Sequence, residues 1–567
     1  GSTLPPIPTS APTQSKPPAT PVPSTGHFVP SAYPASGAAP CGEAKPPDAG
    51  HAAYTGELKR ITAKDASTVV FELCRSDVAF LSKIAWPAFA IDDSAWLRAH
   101  IKVGETGPQA IDTAVNGTGP YRLEEWHPGS EISLARNDAY RGAKAANERL
   151  IVRWNADSAA RVTELQNGTV DGIDALDPTV ISSVTDDVSL ALTPRAGMNV
   201  FYMGFNDTFA PFDNEKVRQA IAIGIDRQHI IDTDFPPGTE LATAYTPCPI
   251  PHGCAGSPWY DYDPALAKEI LAAAGYPNGF DTNIQYSETA RPFLPDPSKV
   301  ALDIQAQLLD NLGIRAKLVS EPDDTFVSDA DAGKLDGIHL LGQTPTYPDV
   351  TGFLDPRFGA GASKEFGKTF SDLGTALATG DSTADDTKRE AAYAKANAAI
   401  RQHVPMIPIA RTVSTTAFRV DVDAAAASPL GLERFAAMTP GDRRQLVWLT
   451  TAEPGGLYCA DETDPIADLV CAQMLEGLYT YDPASAAPIP ALATSCDPNP
   501  GLTVWTCRLR HGVVFHDGSS LDANDVVLSF AVQWDAEHPL HAGGPGAYAT
   551  FADWFGGFLH PPAVPAN

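Results

Sequence analysis

The sequence predicts a mixed α/β protein, because β-branched, apolar runs suited to strands alternate with segments whose apolar residues recur at helical spacing. Length and composition agree: 567 residues with 43% hydrophobic and 19% charged side chains are globular in class, with room for roughly two to four domains. The first strand is Ser67-Thr68-Val69-Val70-Phe71-Glu72-Leu73 and another is Asn199 to Asn206. A helix follows from Asp213 to Ala222, with Asp213 as its N-cap and Val217, Ala220 and Ile221 at helical spacing. From Pro297 to Gly313, Val300, Ile304, Leu308 and Leu312 fall at intervals of four, so this helix is amphipathic and ends on a C-terminal glycine. A further helix is expected from about Ala384 to His403, stopped by Pro405. There is no internal repeat.

Charge excludes several functions. Against 40 Lys and Arg stand 69 Asp and Glu, a formal net charge of −29, which repels phosphate backbones and anionic membranes, so no nucleic-acid partner is expected. No run of about 20 apolar residues is present to span a bilayer. Residues 1–50 hold 13 of the 51 prolines, and up to position 42 their only charged side chain is Lys16. Such a stretch buries too little apolar surface to offset its ordering entropy, and it is expected to be an extended tether. The start at Gly1-Ser2 rather than Met leaves open a signal peptide removed upstream or an added beginning. A tether ahead of a secreted domain suits a surface-anchored protein.

Eight cysteines form local neighbours, Cys248 with Cys254, Cys459 with Cys471 and Cys496 with Cys507, leaving Cys41 and Cys74. This usage points to disulfides in an oxidising compartment. A metal site is the competing reading, since His252 lies between Cys248 and Cys254, but no second Cys-x-x-Cys or His pair at zinc spacing supports it. Catalytic motifs are missing: there is no Gly-x-Ser-x-Gly, no Walker-type loop and no His-Glu-x-x-His. His511 and His516 are imaginable as ligands, yet a turn at His516-Asp517-Gly518 explains them more simply.

Five blocks together resemble the extracytoplasmic substrate-binding proteins of peptide-type ABC importers, the group that includes dipeptide, oligopeptide and nickel binders. They are Leu475-Glu476-Gly477-Leu478 with Leu509 to Gly518 and Ala523-Asn524-Asp525-Val526; Gly117-Thr118-Gly119-Pro120-Tyr121 with Arg136 to Tyr140; Phe205-Asn206 with Pro211-Phe212-Asp213 and Val217-Arg218-Gln219-Ala220; Tyr347-Pro348-Asp349 with Phe353-Leu354; and Val404-Pro405-Met406-Ile407-Pro408. Their order departs from the family, whose members begin with the block at 446–530 and end with one like Ser428 to Phe435. The chain is therefore expected to be circularly permuted, with the old termini joined near 436–447 and Asn567 close to residues 45–60.

The resemblance implies a two-lobed periplasmic-binding-protein-like fold with an enlarged first lobe and hinge strands. Lobe I would be 51–203 plus 412–567 and lobe II 207–408, behind the tether of 1–50. In the dipeptide-binding branch an Arg-Pro-aromatic motif clamps the ligand carboxylate, and Arg291-Pro292-Phe293 stands in that place, Arg291 offering the planar fork and Phe293 the ring. The branch's ammonium-binding aspartate falls on Thr346, within Gly342-Gln343-Thr344-Pro345-Thr346-Tyr347-Pro348-Asp349. Either Asp349 or Asp464 substitutes for it, or the ligand carries no amine. Gln343 and Tyr347 share that segment. Gly197, Met198 and Asn199 before the hinge strand, with Thr463 and Asp464 on the opposite lobe, complete the expected cleft, and Tyr458 and Trp259 are further aromatic options.

The expected function is capture of short peptides, or peptide-like carboxylated solutes, by hinge closure and delivery to the permease subunits of an ABC importer. The protein is expected to be a non-enzymatic monomer without cofactor or metal, extracytoplasmic, and held to the membrane only through the tether or a lipid anchor. Alternatives are a carbohydrate, metal chelate or other small solute on the same scaffold, or a secreted hydrolase or adhesin.

Overall fold

The computed structural model describes residues 28–42, 54–103, 109–541 and 548–560. Three large sheets organise it. In lobe II a six-stranded sheet runs Glu240–Leu241, Met406–Arg411, Val200–Phe205, Ile338–Gln343, Asp281–Ser287 and Arg315–Glu321. Its three central strands are buried at every position, so helices cover both faces. One is Pro297–Leu312, whose Val300, Ile304, Leu308 and Leu312 all enter the lobe II core; Gly313 ends it in the left-handed conformation, φ 69°. Helix Asp386–His403 stops before Pro405 as expected. The helix expected to be capped by Asp213 is instead Glu215–Gly224, capped by Asn214.

Lobe I holds two sheets, and both mix early and late chain. The seven-stranded sheet is built from Tyr121–His127, Glu131–Arg136, Arg149–Trp154, Gln445–Thr450, Gly172–Ile173, Ser414–Arg419 and Leu190–Arg195. Gln445–Thr450 lies in its middle, parallel to both neighbours. The five-stranded sheet runs Ala32–Tyr33, Leu58–Asp65, Thr68–Leu73, Val504–Leu509 and Ala493–Pro498. At the C-terminal end, Glu57 N donates to Phe555 O at 2.7 Å and Thr55 Oγ1 to Gly556 O at 2.8 Å. Asn567 itself lies outside the described residues.

Part of the proline-rich stretch is packed rather than extended. Tyr33 sits edge-on to Trp534 and bonds Asp535, Ser31 bonds Asn524, and Cys41 is bridged to Cys74. The remaining expected pairs, Cys248–Cys254, Cys459–Cys471 and Cys496–Cys507, are also formed. No helix among the described residues is long and apolar enough to cross a membrane.

Candidate functional site

Around the lobe II sheet, the chain passes from Arg195 in the lobe I sheet to Val200 and returns from Arg411 to Ser414. These two crossings touch. The Asn199 amide copies a peptide group: its Oδ1 accepts from Thr412 N at 3.1 Å and its Nδ2 donates to Thr412 O at 2.9 Å. Gly197 has no Cβ because one would collide with the Thr412 carbonyl. Thr412 Oγ1 in turn donates to Pro292 O at 2.6 Å, which ties the Arg291-Pro292-Phe293 loop to the hinge.

That loop is a tight turn closed by reciprocal backbone bonds between Arg291 and Leu294. Phe293 lies over Gly342, where no side chain fits beneath the ring. The Arg291 guanidinium is 41% exposed and gives Nε and Nη2 to Asp323, leaving Nη1 unbonded among the described residues. Gln343 is bonded at both ends of its amide, accepting from Tyr245 and donating to Phe353 O at 2.9 Å. Thr346 is exposed and Met198 packs against the lobe II core.

Asp349 caps the helix Val350–Phe358 through Thr351 N and is bound by Arg389 Nη2 at 2.9 Å. Burial alone would raise its pKa, but Arg389 and the cap hold it below the usual carboxylate range. Its charge is spent inside lobe II. Asp464 is likewise an N-cap, accepting from Ile466 and Ala467 N, with Thr463 exposed beside it.

Of the expected site residues in lobe II, Tyr347 reaches aromatic and cationic side chains of the other lobe. Its ring lies 4.8 Å from Lys83 Nζ and edge-on to Trp554 at 6.0 Å. Trp554 packs on Trp86 at 5.6 Å, and Trp86 on Tyr481 at 6.1 Å. Lys83 is buried between Glu57 at 2.7 Å and Asp77 at 3.0 Å; burial would discharge it, but Asp77 and Glu57 hold its pKa well above the usual lysine value. Two carboxyl groups here are underused. Asp468 takes the Trp86 indole N–H on Oδ2 at 3.1 Å, while its Oδ1 and Asp355 Oδ1 are buried without a partner among the described residues. Burial pushes both up to about 8, for Asp355 with help from the Asp381 and Asp349 carboxylates.

Sequence reasoning missed Lys83, Trp86, Trp554, Asp355 and Asp468. One signal was available, since Lys83 is the lone charge in the apolar run Val78 to Trp86. Trp259 and Tyr458, expected as platforms, are core residues of lobes II and I. The metal reading of His252 is overturned, because Cys248 and Cys254 are bonded to each other and His252 pairs with Asp386 at 3.1 Å. His516 is pinned between Gly117 N and Gly119 O, with burial lowering its pKa to about 4. A cavity of about 940 Å³ lies within lobe I, and none of the expected ligand residues lines it.

Comparison with known proteins places this geometry. The family model described as bacterial extracellular solute-binding proteins, family 5 (middle), matches residues 41–365 and 487–549. Heme-binding protein A of Haemophilus influenzae is 28% identical over 383 residues, 67% of this chain and 69% of that protein. The dipeptide-binding protein of Escherichia coli is 27% identical over 387 residues, 67% of this chain and 70% of its own. The solved structure of HbpA2 from Haemophilus parasuis superposes with a TM-score of 0.62 at 27% identity, over 68% of this chain and 76% of that one. With the matched residues spanning most of a two-lobed chain hinged at two crossings, this protein belongs to family 5 of the bacterial extracellular solute-binding proteins.

Proposed function

We propose that the protein is the substrate-binding component of an ABC importer and captures short peptides between its lobes. The observation that carries this reading is the coupling of hinge and ligand loop: Asn199, Thr412 and Pro292 form one hydrogen-bonded chain, so movement at the hinge moves Arg291. Arg291 anchors the peptide carboxylate through the N–H groups that Asp323 leaves free, Asp323 fixing the fork's orientation. The extended peptide pairs with backbone along the cleft. Its ammonium goes to Asp468 or Asp355 rather than to Asp349, whose charge Arg389 already neutralises. Closure excludes water and strengthens these polar contacts, and docking on the permease favours reopening.

Relatives named for dipeptides support this ligand class. Relatives named as binding proteins also support a carrier rather than an enzyme. Delivery to permease subunits, a monomeric state, and an extracytoplasmic place held by a tether or lipid anchor belong to the same proposal. So does a permuted chain order, supported by Gln445–Thr450 in the middle of a sheet made mostly of earlier chain and by the bonds from residues 555 and 556 to 57 and 55.

A second reading has its own observation. Trp86, Trp554 and Tyr347 put three aromatic rings at the lobe seam, a platform suited to a carbohydrate or another small solute. Isothermal titration separates the two. A tripeptide with a free carboxylate is expected to bind, its C-terminal amide and the Arg291→Glu variant to bind about 100-fold more weakly. Equal affinity for acid and amide overturns the carboxylate anchor.

A further inference from the structure

The lobe I cavity is electrostatically out of character with the chain. On a protein of net charge −29 its walls carry Arg141, Lys144, Arg434, Arg508 and Arg510 against only Glu433 and Glu476. Both acids are already neutralised. Glu433 is buried and takes Arg195 Nη2 at 2.6 Å from outside the cavity. Glu476 is gripped by both arms of Arg141 and also accepts from Tyr140 at 3.0 Å and Thr118 at 2.9 Å. Arg434, Arg508 and Arg510 have no carboxylate within ion-pair reach among the described residues, so three positive charges are left uncompensated.

Their placement is built by the backbone. The short hairpin of Tyr479–Tyr481 and Pro488–Pro490 offers its carbonyls to the guanidinium groups: Arg434 Nη2 donates to Tyr481 O at 2.9 Å. At its end, Ala491 O accepts from Arg510 Nε at 2.6 Å and from Arg141 Nη2 at 3.3 Å. Glu476 already neutralises Arg141, so of the two guanidinium groups on this carbonyl Arg510 is the one whose charge an incoming anion would stabilise. Arg434 and Arg510 are each oriented by one bond, and most of their N–H groups stay unbonded among the described residues. Leu432, Leu475 and Ile489 supply an apolar wall. A volume of about 940 Å³ fits the size of small-ligand sites, roughly 300–1,000 Å³.

We infer that lobe I carries a second ligand site, separate from the interlobe cleft, which takes an amphipathic organic oxyanion: a carboxylate or phosphate head on the arginines and an apolar body against Leu432, Leu475 and Ile489. Arg434 and Arg510 hold the head with charge-assisted, two-armed hydrogen bonds. Of the hinge and seam residues named above, Tyr481 borders the site through its backbone carbonyl, and neither Arg291 nor the Asn199–Thr412 crossing lines it, so occupancy does not require the lobes to move.

Ligand-observed saturation-transfer NMR on the full chain tests this with hexanoate, hexyl phosphate and neutral hexanamide as probes. Hexanoate or hexyl phosphate is expected to bind saturably, the stronger of the two naming the head group, while hexanamide binds at least about tenfold more weakly. Arg434→Gln with Arg510→Gln is expected to weaken the anion about tenfold or more, and Arg291→Glu to leave it unchanged. Arg508→Gln alters a side chain with no hydrogen bond in the described structure, so it is expected to fold and to show a partial loss if the double variant does not fold. Binding of hexanamide as tight as hexanoate, loss of binding in Arg291→Glu, anion binding indifferent to the arginine changes, or no binding by either anion overturns the site.

Discussion

Asp468 is a carboxyl group held in the wrong solvent. Only its Oδ2 has a partner, and burial lifts its pKa to about 8. Between its usual value and that one, the folded protein keeps a proton that the unfolded chain has released, so stability falls as pH rises through this window, by about 1.4 kcal/mol per pH unit. Asp468→Asn removes that dependence while its side-chain oxygen still accepts from Trp86. The variant is expected to melt higher than the unaltered protein at pH 8 and almost equally at pH 4; thermal scans at both values decide, and an equal gain at both refutes the burial argument. Lys83 is the opposite case, a charge whose partners need it. Lys83→Met removes the cation of Asp77 and the nearer cation of Glu57, which keeps only Arg75 at 3.8 Å, at a cost of about 3–5 kcal/mol in urea unfolding.

At the scale of elements, the hinge depends on one side chain imitating a peptide. Asn199→Ala strips the partners from Thr412 N and O, and is expected to lower stability by about 1–3 kcal/mol and to widen the distribution of interlobe distances measured by spin-label spectroscopy; an unchanged distribution contradicts a hinge role. Disulfides act by loop length. Cys41–Cys74, with a sequence separation of 33, closes a longer loop than Cys248–Cys254, with 6, so paired Ser replacements should cost about 3–4 and 2 kcal/mol respectively in denaturant titrations. These elements were legible in sequence because their causes are local. The four-residue spacing of Val300, Ile304, Leu308 and Leu312 with Gly313 beyond specified a helix almost to its ends, and six of the eight cysteines paired with near neighbours, leaving Cys41 to Cys74. Asp213 and Asn214 are equally good caps, and only the tertiary fit of the turn chose between them. The packed segment 28–42 was hidden by its composition, since prolines say nothing of where Tyr33 and Cys41 attach. At the seam, Lys83, Trp86, Tyr347 and Trp554 come from distant parts of the chain, and no spacing relates them. The arginines of the lobe I cavity were hidden for the same reason, inside a chain whose total charge has the opposite sign.

Across the whole molecule, the acidity read from composition is unevenly spread: carboxylates gather at the lobe seam and uncompensated arginines in the lobe I cavity. The interleaving of early and late chain in both lobe I sheets makes a further prediction. A chain restarted near Gly441, with residue 567 joined to residue 1, should fold into the same two lobes and bind the same ligand, because no strand pairing has to change; failure to fold contradicts the permuted order. Capture of a peptide between the lobes is tested most directly by native mass spectrometry of the protein as purified from cells, since a closed carrier retains its ligand. The spectrum should show an added mass equal to a short peptide, absent from an equally well folded Arg291→Glu variant. A retained sugar or porphyrin mass, or a peptide held equally by both proteins, would contradict it.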